Sequence, residues 1–181
     1  MHPPATNSQA TPRAFSERND ARWYAAYTCP RHEKFVAHQM SGHGIGCLLP
    51  LYRSVRRWKD RRKLLELPLF PGYVFLQIGL QDRLRVLRVP GVVNLVSFNG
   101  KPAPLEDSEV EFLQRGYASE RIKPHPFIKV GRRVRVSSGP MAGLEGVLVR
   151  KKDSCRVVLS IELIRRAVCV EVDESEVVAI G

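Results

Sequence analysis

Two hydrophobic rhythms divide this chain. Between residues 21 and 117, short apolar runs alternate with stretches in which apolar residues return at helical spacing; beyond Ile128 they return at every second position. Trp23 to Thr28 is apolar and aromatic and predicts a first strand. Pro30 favours a helix start with Glu33 in its first turn; Phe35, Val36 and Met40 follow at helical spacing, and Gly42 or Gly44 ends the helix. Gly46 to Tyr52 predicts a second strand, in which Pro50, lacking a backbone N–H, marks an edge or a bulge. A hairpin with its tip near Lys59–Asp60–Arg61 leads to a strand from Phe70 to Ile78, bent at Pro71–Gly72. Asp82 caps a short helix, Arg83 to Arg88, which must stop before Pro90. Gly91 to Phe98 is a further strand and Asn99–Gly100 a turn. Ser108 and Glu111 form a capping box for a helix that turns Val110 and Leu113 inward and ends at Gly116.

That order predicts an α+β sandwich over residues 21–117. Residues 1–20, rich in Pro, Ala, Thr, Ser and Asn, predict a mobile tail, and 118–127, with two prolines and no period, a semi-rigid linker. Residues 128–181 carry the strand rhythm. Val134 and Val136 alternate with arginines; Val147 and Val149, then Val157, Leu159 and Ile161, then Val168, Val170 and Val172 repeat with period two. Gly139–Pro140, Gly143 and Gly146 make a turn-rich connection, and Asp173–Glu174–Ser175 is a last turn before Val177. Five short strands predict a small SH3-like β-barrel, marginal in stability alone.

Charge sharpens this picture. The 181 residues carry a formal net charge of +11, which biases the chain toward polyanions or acidic protein surfaces. Arg53, Arg56, Arg57, Lys59, Arg61, Arg62 and Lys63 crowd into the hairpin, so the arm is extended and solvated unless an anion neutralises it. Trp58 stacks on a base or packs back on the sheet. Arg31, His32 and Lys34 lie on the exposed side of the first helix, as a solvated face or as phosphate contacts. Tyr73 and Phe75 share one strand face beside the basic arm, as a contact surface or as core.

Other chemistry is thin. Cys29, Cys47, Cys155 and Cys169 form no CxxC pair and read as reduced thiols of a cytoplasmic protein. Cys29-x-x-His32 and His43-x-x-x-Cys47 have zinc-like spacing, but the second pair spans a helix-to-strand turn, so neither metal nor cofactor is expected. No apolar run approaches the ~20 residues of a membrane span, and the amino terminus lacks the apolar stretch of a signal peptide. No catalytic constellation is present: no serine has a His and Asp beside it, no Gly-rich loop precedes a Lys-Ser or Lys-Thr, and the glycines at 42, 44 and 46 follow a helix instead of opening one.

Trp23-Tyr24-Ala25-Ala26-Tyr27, Pro30-Arg31-His32-Glu33-Lys34, Leu49-Pro50, Phe70-Pro71-Gly72-Tyr73-Val74-Phe75 and Pro90-Gly91-Val92-Val93, in this order, resemble the amino-terminal domain of the NusG family. Val134 to Val147, with Gly139-Pro140-Met141-Ala142-Gly143 inside it, resembles the KOW motif that closes the same proteins. The resemblance spans about Arg22 to Val178 and is closest to the operon-dedicated antiterminators of the RfaH and UpxY type. It implies a small antiparallel sheet flanked by helices, then a KOW barrel, in a monomeric, non-catalytic elongation and antitermination factor that rides on RNA polymerase. It further implies that Tyr73 and Phe75, shaped by Phe70 and Pro71, dock on the clamp helices, and that Asp82, Arg83 and Arg85 touch the gate loop. The sequence there is Asp-Arg-Leu-Arg, where the RfaH type has His-Thr-Thr-Thr, so that contact would be ionic. Arg31, His32 and Lys34, with Arg56, Arg57, Lys59, Arg61 and Arg62 of the arm, then face upstream or non-template DNA. Leu163, Ile164 and Arg166 fall on the barrel loop that meets a ribosomal protein or the termination factor Rho. The Val-rich barrel predicts no switch to a helical form. The competing readings are a general NusG-type factor coupled to Rho or the ribosome, and a ribosomal or RNA-binding KOW protein.

Overall fold

A computed structural model describes residues 20–57, 61–127, 131–151 and 154–180 of the chain. In chain order these form β1 (Arg22–Thr28), α1 (Glu33–Gly42), β2 (Gly46–Leu48), β3 (Leu51–Arg57), β4 (Arg62–Pro68), β5 (Tyr73–Ile78), α2 (Arg83–Leu87), β6 (Val92–Leu95), β7 (Ser97–Phe98), β8 (Lys101–Pro102), α3 (Asp107–Ala118), β9 (Ile122–His125), β10 (Arg133–Val136), β11 (Glu145–Lys151), β12 (Ser154–Ile161), β13 (Arg166–Val172) and β14 (Val177–Ala179).

The first half is built on an antiparallel sheet of order β2-β5-β1-β6. Its two central strands are covered on both faces, so they read as unbroken apolar runs. Tyr24, Ala26, Val74, Leu76 and Ile78 face Val36 and Met40 of α1 and Val86 of α2. Ala25 and Phe75, opposite one another in the ladder, face Phe70, Leu105 and the α3 residues Val110 and Leu113.

The second half is an antiparallel sheet of order β14-β10-β11-β12-β13-β9. Its last strand, β14, returns beside its first, β10, as the SH3-like prediction requires, but a sixth strand, β9, lies at the opposite edge, beyond β13. That strand comes from the expected linker. Ile122, Lys123, Pro124 and His125 pair with β13; Ile122 is buried, and Pro124 is tolerated because β9 is an edge. The two sheets share one apolar cluster, in which Phe75, Val110 and Leu113 are continuous with Val136, Met141, Ile161 and Ile164. Arg115 of α3 donates from Nη2 to the carbonyl of Pro140, 2.8 Å away, in the turn after β10.

Several local expectations change. The strand expected over residues 46–52 is two, β2 and β3, broken at Pro50, whose carbonyl accepts the Leu69 N–H at 2.9 Å. The strand expected to Phe98 breaks after Leu95; Asn99 and Gly100, both at positive φ, turn the short β7–β8 hairpin as expected. The α3 capping box is Glu106 with Glu109, not Ser108 with Glu111. Burial holds the Glu109 carboxyl above its ordinary range, against the backbone hydrogen bond at Glu106 that lowers it. Gly116 does not end α3; it sits inside the helix, where a Cβ would meet Ile122 Cδ1 at 2.9 Å, so the glycine lets β9 approach. Gly146 is no turn residue either: it lies in β11, and a Cβ there would meet the Val158 carbonyl oxygen at 2.5 Å. Phe35, placed by spacing on the buried side of α1, is 45% exposed and packs edge-on to His32 instead.

Candidate functional site

The carboxylate of Glu33, in the first turn of α1, is almost fully buried and accepts the backbone N–H of Gly72 at 2.7 Å. Gly72 has φ +84, a left-handed conformation that glycine adopts without cost, and its carbonyl accepts the Thr28 N–H at 2.8 Å. These two bonds fix the bend that feeds β5 alongside β1. As a result Tyr73 lies opposite Tyr27, ring centroids 5.5 Å apart and planes tilted by 54°. Tyr27 is 41% exposed, Tyr73 half-buried, and Pro71 exposed beside them. A tilted aromatic pair at the end of a sheet, held by buried hydrogen bonds, is a rigid apolar surface with polar phenolic edges.

Other residues expected at this surface are elsewhere. Phe75 is fully buried and Phe70 is 1% exposed; they pack edge to face at 5.3 Å and 88° in the core under α3. Strand alternation put Tyr73 and Phe75 on the same side correctly, but α3 and Leu105 cover that side at Phe75 and leave it open at Tyr73. Tyr27 takes the place assigned to Phe75. It was legible only as part of an apolar first strand, since its exposure depends on the pairing of β1 with β5.

At α2, Asp82 is buried, makes no capping hydrogen bond, and accepts from Arg85 Nη1 at 3.3 Å. Asp82 is thus turned toward Arg85, which remains exposed, as are Arg83, Leu84 at 66% and Leu80 at 49% exposure.

Basic residues gather on two further elements. Arg31, at φ 65, His32 and Lys34 are exposed around the start of α1, and His32 Nδ1 lies 3.0 Å from the Pro30 carbonyl oxygen. The β3–β4 ribbon projects its outer face into solvent: Arg57 pairs with Arg62 and Val55 with Leu64, and all four are exposed. Tyr52, Leu65 and Leu67 line the inner, half-buried face. Arg61 is exposed; Lys59, Trp58 and the ribbon tip lie outside the described residues, and of Arg56 only the backbone pairing with Lys63 is described.

On the expected barrel loop, Ile164 is 6% exposed and belongs to the core, Leu163 packs partly against that core, and Arg166 is exposed at the start of β13. Arg165, at φ 51, carries its guanidinium 5.6 Å from the Phe127 ring, a cation–π contact that sequence reasoning missed. Among the described residues, no three His, Cys, Asp or Glu side chains gather as a metal site, and no helix is long and apolar enough to cross a membrane. Cys47 is half-buried, and the loss of solvent around it pushes its thiol up to about 11.

Residues 21–114 match the family described as "Transcription termination factor nusG". The chain belongs to the NusG family. It is 30% identical over 177 residues to the transcription termination/antitermination protein NusG of Yersinia pestis, covering 90% of this chain and 98% of that protein. The NusG of Escherichia coli K12 is 29% identical over the same shares. The solved structure described as "Domain interaction in Thermotoga maritima NusG" superposes with a TM-score of 0.55 at 26% identity, covering 89% of this chain and 98% of that one. The helix-flanked sheet followed by a KOW-like β unit is thus the NusG architecture. The family match stops before β9, so the strand that joins the two halves lies beyond it.

Proposed function

We propose that this chain is a transcription elongation and antitermination factor that acts as a cytoplasmic monomer, without catalysis, by binding RNA polymerase. The observation that carries the reading is the Tyr27–Tyr73 pair, Tyr27 exposed and Tyr73 half-buried, fixed by Glu33 and Gly72, which offers a helical protein partner a preformed aromatic ridge. Aromatic anchors at an interface centre contribute most of its energy, ~2 kcal/mol or more each. Phe70 and Phe75 pack in the core on the same side of the sheet, next to this ridge, and Pro71 borders it. Leu80, Arg83 and Leu84 form a second exposed edge suited to a contact across the polymerase cleft. Two contacts on separate parts of the polymerase, made only in its closed state, favour that state and so oppose pausing and termination. The exposed arginines of the β3–β4 ribbon and of the start of α1 suit the phosphates of upstream or non-template DNA. Recruitment of a ribosomal protein or Rho by the KOW-like unit would use half-buried Leu163 and exposed Arg166, at the start of β13.

Service to a dedicated operon is the favoured version, supported by the basic ribbon. General NusG duty is the second version, supported by similarity to NusG proteins over 98% of their length. Transcription through a terminator by purified polymerase tests both. Increased read-through that Tyr27→Ala/Tyr73→Ala abolishes is the expected result. Polymerase binding without read-through points to the general role, and no binding at all removes the proposal in favour of an RNA-binding KOW protein.

A further inference from the structure

The edge strand of the first sheet carries a bulge beside the tyrosine pair. β6 is last in the order β2-β5-β1-β6, and against β1 it sets Leu95 opposite Ala26, Asn94 opposite Tyr27 and Val92 opposite Thr28. Val93 is the extra residue and has no partner in β1. Both flanks of the irregularity are pinned. The Cys29 N–H donates to the Gly91 carbonyl at 2.8 Å, and the Val96 N–H to the Ala25 carbonyl at 2.8 Å. The extra residue therefore sits in a fixed frame, where a bulge bends its strand and re-aims a side chain.

Packing explains the bulge. Val92 and Leu95, three residues apart, would point to opposite faces of a regular strand. Here both pack on the side covered by α1 and α2, in the cluster that holds Val36, Met40 and Val86. One additional residue between them permits this. It leaves two residues out of the core: Val93 is 50% exposed and lies outside the buried apolar clusters of the described residues, and Asn94 is exposed. Residues directly opposite in an antiparallel pair share a face, so Asn94 lies on the face of Tyr27, which is also that of Tyr73. The aromatic ridge is thus part of a row across three strands, Tyr73, Tyr27 and Asn94, with Val93 beside its last member.

The row has helical dimensions. Neighbouring strands lie about 4.8 Å apart, so its outer members are about 10 Å apart, and two turns of an α-helix rise about 11 Å. A helix laid along the row meets Tyr73, Tyr27 and the bulge with side chains at i, i+4 and i+7. A bulge also keeps a second sheet from pairing with an edge, but that role leaves the identity of residues 93 and 94 free. Contact with a partner does not.

We propose that the polymerase-contact face centred on Tyr27 and Tyr73 extends over this bulge, and that Val93 and Asn94 select the helix that docks there. Val93 covers an aliphatic side chain, and the Asn94 amide, both donor and acceptor, bonds a polar side chain one turn beyond the residues seated on the tyrosines. The inference rests on the docking reading and adds the chemistry of the partner: a helix with apolar residues at i and i+4 and a hydrogen-bonding residue near i+7.

The test measures the affinity of the full chain for purified RNA polymerase in wild type, Tyr27→Ala/Tyr73→Ala, Val93→Asp, Val93→Ile, Asn94→Ala and Val178→Ser, together with amide hydrogen exchange in the wild-type complex. Val93, Asn94 and Val178 are exposed, so their variants should keep the wild-type thermal midpoint. Binding is expected to weaken about tenfold or more in Val93→Asp and about threefold or more in Asn94→Ala, and to hold in Val93→Ile and in Val178→Ser of β14. Exchange should slow at Val92 to Asn94 and in one helical segment of the polymerase. Wild-type affinity in Val93→Asp and Asn94→Ala, with binding lost in the tyrosine double variant, overturns the proposal and leaves the docking reading in place. Exchange that slows in no helical segment of the polymerase overturns the helix as the occupant. Wild-type affinity in the tyrosine double variant removes the docking reading and this proposal with it.

Discussion

The Glu33 carboxylate accepts the Gly72 N–H at 2.7 Å, joining the first turn of α1 to a bend 39 residues later. Glu33 is 6% exposed, so its loss leaves a buried donor unsatisfied. Glu33→Ala is expected to cost about 1.5–3 kcal/mol in urea unfolding, the range for hydrogen bonds to charged groups. Glu33→Gln keeps an acceptor oxygen and should cost less. Because the bond holds the bend before Tyr73, the same variant should also weaken polymerase binding more than its stability loss explains.

Phe75 and Tyr73, two residues apart, are expected to separate stability from binding. Phe75→Ala empties a fully buried site and should cost about 3–5 kcal/mol. Tyr73→Ala, half-buried at the rim, should lower the unfolding midpoint far less and reduce affinity for polymerase by tenfold or more. Equal effects of the two variants on binding at matched stability would remove Tyr73 from the contact surface.

Gly146→Ala tests the packing of the second sheet. Its Cβ would meet the Val158 backbone oxygen at 2.5 Å, and a carbonyl in a ladder cannot step aside as a side-chain tip does. A loss of about 1–3 kcal/mol is expected by analogy with overpacked cores, read from the thermal midpoint of the intact chain.

Acid should loosen β9. Glu171 is held below its ordinary pKa of 4.5 by hydrogen bonds first from Arg156, at 2.8 Å, then from Lys123 of β9, at 3.3 Å. A carboxylate with a depressed folded pKa contributes stability above its unfolded pKa and loses it as pH falls through the folded value. Glu171→Gln should therefore be less stable than wild type at pH 7, with the gap closing below about pH 4. Amide exchange in Ile122 to His125 should speed up over the same range.

Burial that pushes the Cys47 thiol up to about 11 leaves little thiolate at pH 8. Alkylation of native protein is expected to spare Cys47, which then reacts once urea unfolds the chain; mass mapping of the labelled peptides decides it.

How much of this was legible depends on how far each signal reaches along the chain. Alternation in Val134–Val136 and Val168–Val172 marked segments that are strands in the structure, and Asn99–Gly100 turned a hairpin, because period and turn chemistry act over a few residues. Tyr73 was legible as a rim residue only together with Phe75, because two positions on one strand face carry the same sequence signal whether or not something lies over them. The residues at 122–125 read as linker because a short edge strand containing Pro124 has no period of its own, and its partner β13 begins more than forty residues later.

The sequence by itself determined the local grammar of this protein: strand and helix periods, the Pro71–Gly72 bend, the concentration of arginine in one hairpin, and the order of motifs that marks the family. Only the tertiary structure decided which side of each element is covered. α3 buries Phe75 and Phe70, Asp82 closes on Arg85, Ile164 turns into the core, and Tyr27 is left beside Tyr73 in the open. The physical reason is that hydrophobic burial is non-directional and set by whatever packs opposite, so exposure belongs to pairs of elements distant in sequence and not to any residue alone.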